Sequence, residues 1–213
     1  MKILIAVPSM DTVPVQFASS LAMLQRTGEC SVAFQVGSLV YTARNDLAKA
    51  AIKSEADLVF WLDSDMVFAP TTLVKMVETL EQHPDIDILS GVYFRRRPPY
   101  SPVLLDKLDM DENGAITSHD LDELPETGLF EVAGCGFGCV LMRTEVLMEV
   151  MAAEGRLFDP YLGLGEDLSF CVRARKLGHT IWCDPAMECG HVGNAIITGD
   201  VWETYRRNDA FKS

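Results

Sequence analysis

The chain has 213 residues and a net charge of −13, from 18 Lys and Arg against 31 Asp and Glu. This balance argues against a protein whose affinity rests on neutralising nucleic-acid phosphates. Because 48% of the residues are hydrophobic and only 23% are charged, the composition excludes a disordered chain and allows a sizeable core.

The N-terminal half alternates strand and helix patterns. The spacing predicts strands at residues 3–7, 31–36, 58–62 and 86–92, separated by helices at 15–25, 42–53 and 71–82. The third strand is apolar throughout, which suits burial on both faces of a parallel sheet. This order predicts an α/β fold with a doubly wound, mostly parallel sheet.

The second half is less regular. Residues 95–127 contain four prolines and an acidic run, and predict an excursion over the surface with a possible hairpin at Asn113-Gly114. Strands are predicted at 129–132, 139–142 and 180–183, and helices at 144–153 and 166–177. No linker or internal repeat interrupts the pattern, so a single domain over residues 1–213 is expected.

Neither a membrane span nor a disulfide framework is predicted. No apolar run reaches about 18–20 residues, and the N-terminal run stops at Pro8, too soon for a signal peptide. The six cysteines form no CxxC pair or convincing zinc spacing. We therefore expect reduced core thiols in a cytoplasmic protein.

Two aspartates, Asp63 and Asp65, directly follow the third predicted strand. In doubly wound sheets, ligands bind beyond the carboxyl ends of the strands. Carboxylates one residue apart can present oxygen ligands to a hard divalent cation, which an acidic protein needs in order to bind an anionic diphosphate. The alternative is that both aspartates only serve turn or helix N-cap geometry.

Residues 41–47 (YTARNDL) and 56–65 (ADLVFWLDSD) resemble the family-2-like glycosyltransferases of the GT-A fold. The resemblance implies Mn²⁺ or Mg²⁺ held by the Asp-x-Asp motif against the diphosphate of a nucleotide-sugar donor. Asp65 would bind the metal directly, and Asp63 would contact the donor ribose or a metal-bound water.

The same resemblance assigns further donor contacts. It implies that Pro8 and Ser9 hold the nucleoside, that Arg44 and Asn45 lie near the base or phosphates, and that Ser64 contacts the donor. For Arg44, the alternative is an arginine on a helix surface.

A glycine-rich segment precedes the strand predicted at 139–142. Its Gly134 and Gly136 resemble the family's small-residue loop beside the donor sugar, where glycine lets the backbone approach a ligand closely. Glycines required by a tight turn are the alternative.

Glu166 and Asp167 begin the helix predicted at 166–177. They resemble the family's Glu-Asp motif, in which the aspartate deprotonates the acceptor; this makes Asp167 the candidate general base, with Glu166 beside it. The alternative is helix capping, because acidic residues complement the exposed amides of a helix N-terminus. That environment is expected to favour the ionised carboxylate.

His191 is the candidate third metal ligand, because a late histidine often completes the metal site in this family. If one cation needs both, His191 must lie within a few ångströms of Asp65, and Asp167 should line the same cavity. The other histidines (His83, His119 and His179) are expected to be bystanders. The arginines at 95–97 either steer a phosphorylated ligand or solvate a loop.

The resemblance implies a metal-dependent, inverting sugar transfer from a nucleotide-diphosphate sugar to an acceptor hydroxyl. Residues 1–95 would bind the donor and residues 96–213 the acceptor, for which a modified nucleobase stays open. Two alternatives remain: a nucleotidyltransferase, and a catalytically inactive nucleotide-sugar-binding protein. Nucleotidyltransferases usually carry a glycine-rich basic loop after the first strand, whereas residues 8–14 contain no glycine and no basic residue.

Overall fold

Strands and helices alternate through the first half of the chain in the computed structural model, which describes residues 1–110, 116–193 and 195–207. The elements are β1 (Lys2–Ser9), α1 (Val15–Met23), β2 (Glu29–Val36), α2 (Val40–Lys53), β3 (Leu58–Leu62), β4 (Met66–Val67), α3 (Thr72–Gln82) and β5 (Ile88–Val92).

The second half begins with a hairpin, as the excursion after residue 95 suggested. The elements are β6 (Leu104–Met110), β7 (Ile116–Asp120), β8 (Phe130–Val132), β9 (Gly134–Cys135), β10 (Cys139–Arg143), α4 (Thr144–Glu154), α5 (Glu166–Lys176), β11 (Ile181–Glu188), β12 (Gly190–Val192), β13 (Ile196–Ile197) and α6 (Gly199–Arg207). Strands β6 and β7 pair in antiparallel fashion, and the predicted turn at Asn113-Gly114 lies outside the described residues.

Seven of the described strands form the central sheet, in the order β2-β1-β3-β10-β5-β11-β8. The pairs β1/β2, β1/β3 and β5/β11 are parallel, whereas β10 is antiparallel to both β3 and β5, and β8 is antiparallel to β11. Five strands therefore run in one direction and two in the other. The predicted α/β fold with a mostly parallel sheet is confirmed, with β10 inserted between β3 and β5.

Alternation along β3 divides the core between the two faces of the sheet, because successive side chains of a strand point to opposite faces. Val59 and Trp61 pack on one face with apolar residues of α2, α4 and α5. Leu58, Phe60 and Leu62 pack on the other face with residues of α1 and α3. The sheet is thus the middle layer of three.

Two small sheets lie beside the central one and connect distant parts of the chain. One has the order β13-β12-β4 and sets His191 opposite Met66; the other has the order β7-β6-β9. The first is important for the site, since β4 directly follows Asp65.

The cysteines are free thiols, and all except Cys30 are buried, as expected for core residues. Among the described residues, no helix is long and apolar enough to cross a membrane.

Candidate functional site

A cavity of about 810 Å³ opens at the carboxyl ends of β1, β3 and β5. This is the edge at which ligands bind in doubly wound sheets. Most residues singled out from the sequence line it: Pro8, Ser9, Arg44, Asp63, Ser64, Asp65, Glu166, Asp167 and His191. The two halves of the chain therefore meet in one cavity.

The turn after β3 sends its two aspartates to different partners. Its backbone is fixed because the Asp63 amide donates to the Gly138 carbonyl at 3.1 Å and the Met66 amide donates to the Asp63 carbonyl at 3.1 Å. The Asp63 side chain accepts a hydrogen bond from Arg44, whereas that of Asp65 faces His191 and Arg96. The two aspartates therefore contact different side chains.

Arg44 is only 2% exposed, so the suggestion of a surface arginine is wrong. Its Nη2 donates to Asp63 Oδ1 at 2.7 Å and its Nε donates to Glu166 Oε1 at 3.2 Å. Burial alone would lower the pKa of Arg44, but the carboxylates of Asp63, Glu166 and Asp167 outweigh it and raise that pKa. Arg44 therefore joins two carboxylates beneath the cavity, and these bonds occupy two of the donors with which it was expected to approach the nucleotide.

His191 lies beside Asp65, as the sequence analysis required. Its Nδ1 contacts the Phe94 carbonyl oxygen at 2.7 Å, and its Nε2 lies 3.4 Å from Asp65 Oδ2. Because a carbonyl can only accept, Nδ1 carries a proton, and in a neutral imidazole Nε2 presents its lone pair to Asp65. The edge of the Tyr93 ring packs against the imidazole at 5.4 Å between centroids.

Asp65 and His191 together fit a divalent cation. Two ligands about 2.1–2.2 Å from one ion lie roughly 3.0–3.5 Å apart when the angle between them is near 90–105°, and the observed separation is 3.4 Å. Carboxylate oxygen and imidazole nitrogen both suit Mn²⁺. Within the described ranges, however, no group of three His, Cys, Asp or Glu side chains could hold a metal, so Asp63 does not join the pair as a third ligand.

Glu166 and Asp167 begin α5, as predicted, and differ in environment. Glu166 pairs with Arg44, whereas Asp167 Oδ1 accepts the Leu168 amide at 2.7 Å. Burial, followed by repulsion from Glu166 and Asp63, raises the pKa of Asp167 to about 6, against the lowering effects of the Leu168 amide and Arg44. The Leu168 amide at the helix N-terminus favours the ionised form, as expected, but burial and like charges outweigh it and the net shift of the pKa is upward.

Asn45 lies outside the cavity lining and connects two chain segments instead. Its Nδ2 donates to Asp159 Oδ2 at 3.0 Å, and its Oδ1 accepts the Phe158 amide at 3.0 Å. Both ends of the amide are engaged within the protein, which corrects the expected donor contact.

Gly134 and Gly136 are also outside the lining, and neighbouring side chains account for both. A Cβ at Gly136 would lie 1.9 Å from the Tyr93 hydroxyl, and one at Gly134 would lie 3.1 Å from Leu108 Cδ2 and 3.2 Å from Leu168 Cδ2. The glycines leave room for packing, in place of the expected approach to the donor sugar.

Tyr93 was not predicted to belong to the site, and no single arginine was chosen among the three that follow it. Tyr93 and Arg95, Arg96 and Arg97 all line the cavity. Arg95 pairs with Asp120 at 2.8 Å and Arg96 with Asp65 at 3.1 Å. Tyr93 could have been predicted as a site residue, because it directly follows a buried strand, as Asp63 does.

The remaining histidines do not line the cavity. His179 bridges Asp87 and Glu149, and His119 pairs with Asp106, which agrees with their expected role as bystanders.

Residues 15–210 match the family described as glycosyltransferase like family 2. The chain belongs to this family. No curated protein gives a significant match. The family assignment agrees with the resemblance of the Asp-x-Asp and Glu-Asp segments.

Solved structures place this member of the glycosyltransferase like family 2 among GT-A and nucleotidyltransferase folds. It is similar to A197 from STIV (TM-score 0.66, 17% identity, 94% of this chain and 91% of that one). It is also similar to CMP:2-keto-3-deoxy-manno-octonic acid synthetase complexed with CTP (TM-score 0.55, 14% identity, 100% of both chains). GalNAc-T7 with UDP, GalNAc and Mn²⁺ matches over 78% of this chain and 32% of its own (TM-score 0.51, 14% identity). These likenesses concern the fold alone.

Proposed function

We propose that the chain is a glycosyltransferase that moves a sugar from a nucleotide-diphosphate sugar to an acceptor hydroxyl, with Asp167 as general base. One observation carries the proposal: the Asp65–His191 pair and the Glu166–Asp167 pair face the same cavity, although Asp65 lies in the first half of the chain and the other three residues lie in the second half. Family membership supports the reaction class.

Asp65 and His191 would hold Mn²⁺ or Mg²⁺, for which their separation and chemistry are suited. When bound, such a cation neutralises the diphosphate leaving group. The Phe94 carbonyl fixes the His191 ring by accepting a hydrogen bond from Nδ1, so that Nε2 stays directed at Asp65. Pro8 and Ser9 line the nucleoside end of the cavity in this proposal.

Asp167 would take the proton of the acceptor hydroxyl as that oxygen attacks the anomeric carbon. A carboxyl with a pKa near 6 is ionised at neutral pH and is a stronger base than an ordinary aspartate. Attack from the face opposite the diphosphate inverts the anomeric configuration. Arg44 holds Glu166 and Asp63, and its positive charge limits how far their repulsion raises the pKa of Asp167.

A nucleotidyltransferase is the second candidate, because the synthetase complexed with CTP matches the chain over its full length. The loop after β1 argues against it, since residues 8–14 lack glycine and basic residues. The arginines that line the cavity follow β5 instead.

A panel of nucleotide sugars and nucleoside triphosphates, each with Mn²⁺ or EDTA, separates the candidates. Thermal shift detects binding, because a ligand that binds only the native state stabilises it, and product analysis identifies the reaction. A glycosyltransferase releases nucleoside diphosphate from a nucleotide sugar. Release of pyrophosphate from a triphosphate, as the nucleotide passes to a sugar supplied with it, identifies the nucleotidyltransferase. Binding without release of either product in the presence of sugar acceptors identifies the inactive binding protein.

A further inference from the structure

One oxygen of Asp65 faces two different groups. Arg96 Nη1 lies 3.1 Å from Asp65 Oδ2, and His191 Nε2 lies 3.4 Å from the same oxygen. Arg96 is about half exposed, whereas Asp65 and His191 are 27% and 12% exposed. A half-exposed positive charge thus pairs with a carboxylate in a more buried setting.

Backbone contacts hold the three residues together. The Val192 amide donates to the Asp65 carbonyl at 2.8 Å, and His191 contacts the Phe94 carbonyl two residues before Arg96. The stem of Arg96 lies on Gly193, where a Cβ would come within 3.2 Å of Arg96 Cδ. Backbone contacts therefore fix Asp65 and His191 relative to each other, whereas the Arg96 side chain that pairs with Asp65 is about half exposed to solvent.

Arg96 and a divalent cation would compete for the carboxylate of Asp65. Arg96 places a positive charge 3.1 Å from Asp65 Oδ2, and a divalent cation on the same oxygen would repel the guanidinium. Cation binding therefore requires Arg96 to leave Asp65.

A guanidinium released from Asp65 can bind the phosphate groups of a donor in the cavity. A guanidinium fork matches phosphate oxygens in bidentate fashion. Arg95 is engaged by Asp120, and Arg97 has no ion-pair partner among the described residues. Arg96 is the arginine whose partner the cation would take.

We propose that Arg96 is an exchangeable counter-ion, which holds Asp65 in the cation-free protein and passes to the donor diphosphate when a divalent cation binds Asp65 and His191. The inference rests on the proposed function, and it adds a donor-binding residue to that site. It requires Arg96 to oppose binding of the cation alone and to assist binding of the nucleotide, which a merely structural arginine would not do.

Calorimetry on Arg96→Ala tests the two effects separately. With MnCl₂ alone, the variant binds Mn²⁺ about two- to five-fold more tightly than the wild type, because a competing ion pair is gone. In excess Mn²⁺, the best ligand of a panel of UDP, GDP, ADP and CDP binds roughly ten-fold more weakly, because a charged phosphate contact is lost. Arg96→Lys keeps the charge without the fork, so it binds Mn²⁺ like the wild type and the nucleotide more weakly.

Arg97→Ala is the matched control, since it removes the same charge from the same rim without removing a partner of Asp65. It should leave the affinity for Mn²⁺ alone close to that of the wild type. An equal gain in Arg97→Ala, or no gain in Arg96→Ala, overturns the exchange. Unchanged nucleotide affinity in Arg96→Ala overturns it as well.

The failure of the exchange is distinguishable from that of the proposed function. Wild-type protein that binds Mn²⁺ and turns over a nucleotide sugar, with Arg96→Ala unchanged in both affinities, removes only the exchange. Wild-type protein that does not bind Mn²⁺ removes the exchange together with the metal part of the proposed function.

Discussion

Arg44 donates from Nη2 to Asp63 Oδ1 at 2.7 Å, and this bond ties the middle of α2 to the end of β3 beneath the cavity. A second bond from the same guanidinium reaches Glu166. Because Arg44 is almost fully buried, its charge is balanced by these carboxylates instead of by water. Asp63 therefore helps to hold α2 against the end of β3 at the site.

Replacing Arg44 with Met should lower the free energy of unfolding by about 3 kcal/mol at pH 7, because Asp63 and Glu166 lose their buried partner. Urea denaturation measures the loss. The triple variant with Asp63→Asn and Glu166→Gln should recover much of it, since no unpaired charge remains. Arg26→Ala, at an exposed position, should stay within about 0.5 kcal/mol of the wild type.

Asp167→Asn should lower kcat by about 10²- to 10⁴-fold and leave donor affinity nearly unchanged, because a base acts in the transition state. Steady-state kinetics and donor titration separate the two quantities. Glu145→Gln is the matched control, since Glu145 is in the first turn of α4 and does not line the cavity. If Asp167→Asn lost stability but kept its turnover, helix capping would be its role.

The pH profile of kcat/KM should show an acid limb near pH 6. The pKa of Asp167 is raised to about 6, so the carboxyl is largely protonated at pH 5 and cannot accept a proton, whereas at pH 7 it is largely ionised. Activity therefore rises with pH through this range. Glu166→Gln should move the limb to lower pH, because repulsion from Glu166 is the second cause of the raised pKa. A limb that moved upward would contradict this account.

Nucleoside diphosphate should bind more tightly in Mn²⁺ than in EDTA, and the difference should depend on His191. His191→Ala should weaken Mn²⁺ binding by about 10- to 100-fold, because the cation loses one of its two protein ligands. Calorimetry provides both affinities. His83→Ala, an exposed histidine outside the cavity lining, should behave like the wild type. Equal nucleotide affinity in Mn²⁺ and EDTA would refute the metal site.

Gly136→Ala should destabilise the protein by about 1–3 kcal/mol, because the new Cβ would lie 1.9 Å from the Tyr93 hydroxyl. Thermal and urea unfolding measure the cost. The penalty should be smaller in a Tyr93→Phe background, where the hydroxyl is absent. A variant that kept its stability but lost donor affinity would instead support the donor-loop interpretation.

Much of the fold could be predicted because its elements carry local signals. The third strand was predicted with the bounds of β3, Leu58–Leu62, since an unbroken apolar run between polar residues identifies a buried strand. The position of β10 could not be predicted in this way. Its apolar pattern predicts burial, but it contains no information about which strands it separates or in which direction it runs.

In the candidate site too, only the residues that a local sequence pattern locates could be predicted. Asp65, Asp167 and Ser9 were placed correctly in the cavity, because the carboxyl edge of the sheet and a helix N-terminus can be located from local pattern. The bonds from Arg44 to Glu166 and from Asn45 to Asp159 could not be predicted, since both acceptors are more than a hundred residues away in the chain.

The insertion of β10 between β3 and β5 also has a consequence for how the chain must fold. Strands β3 and β5 are close in sequence, yet they do not pair with each other. Each pairs instead with β10, which comes from the second half of the chain. A nascent chain ending before residue 139 therefore leaves one edge of β3 and both edges of β5 unpaired, because β11 is also still missing. Such non-local pairing slows folding and favours aggregation of incomplete chains. The cavity cannot be complete at that stage either, because Glu166, Asp167 and His191 come later in the chain.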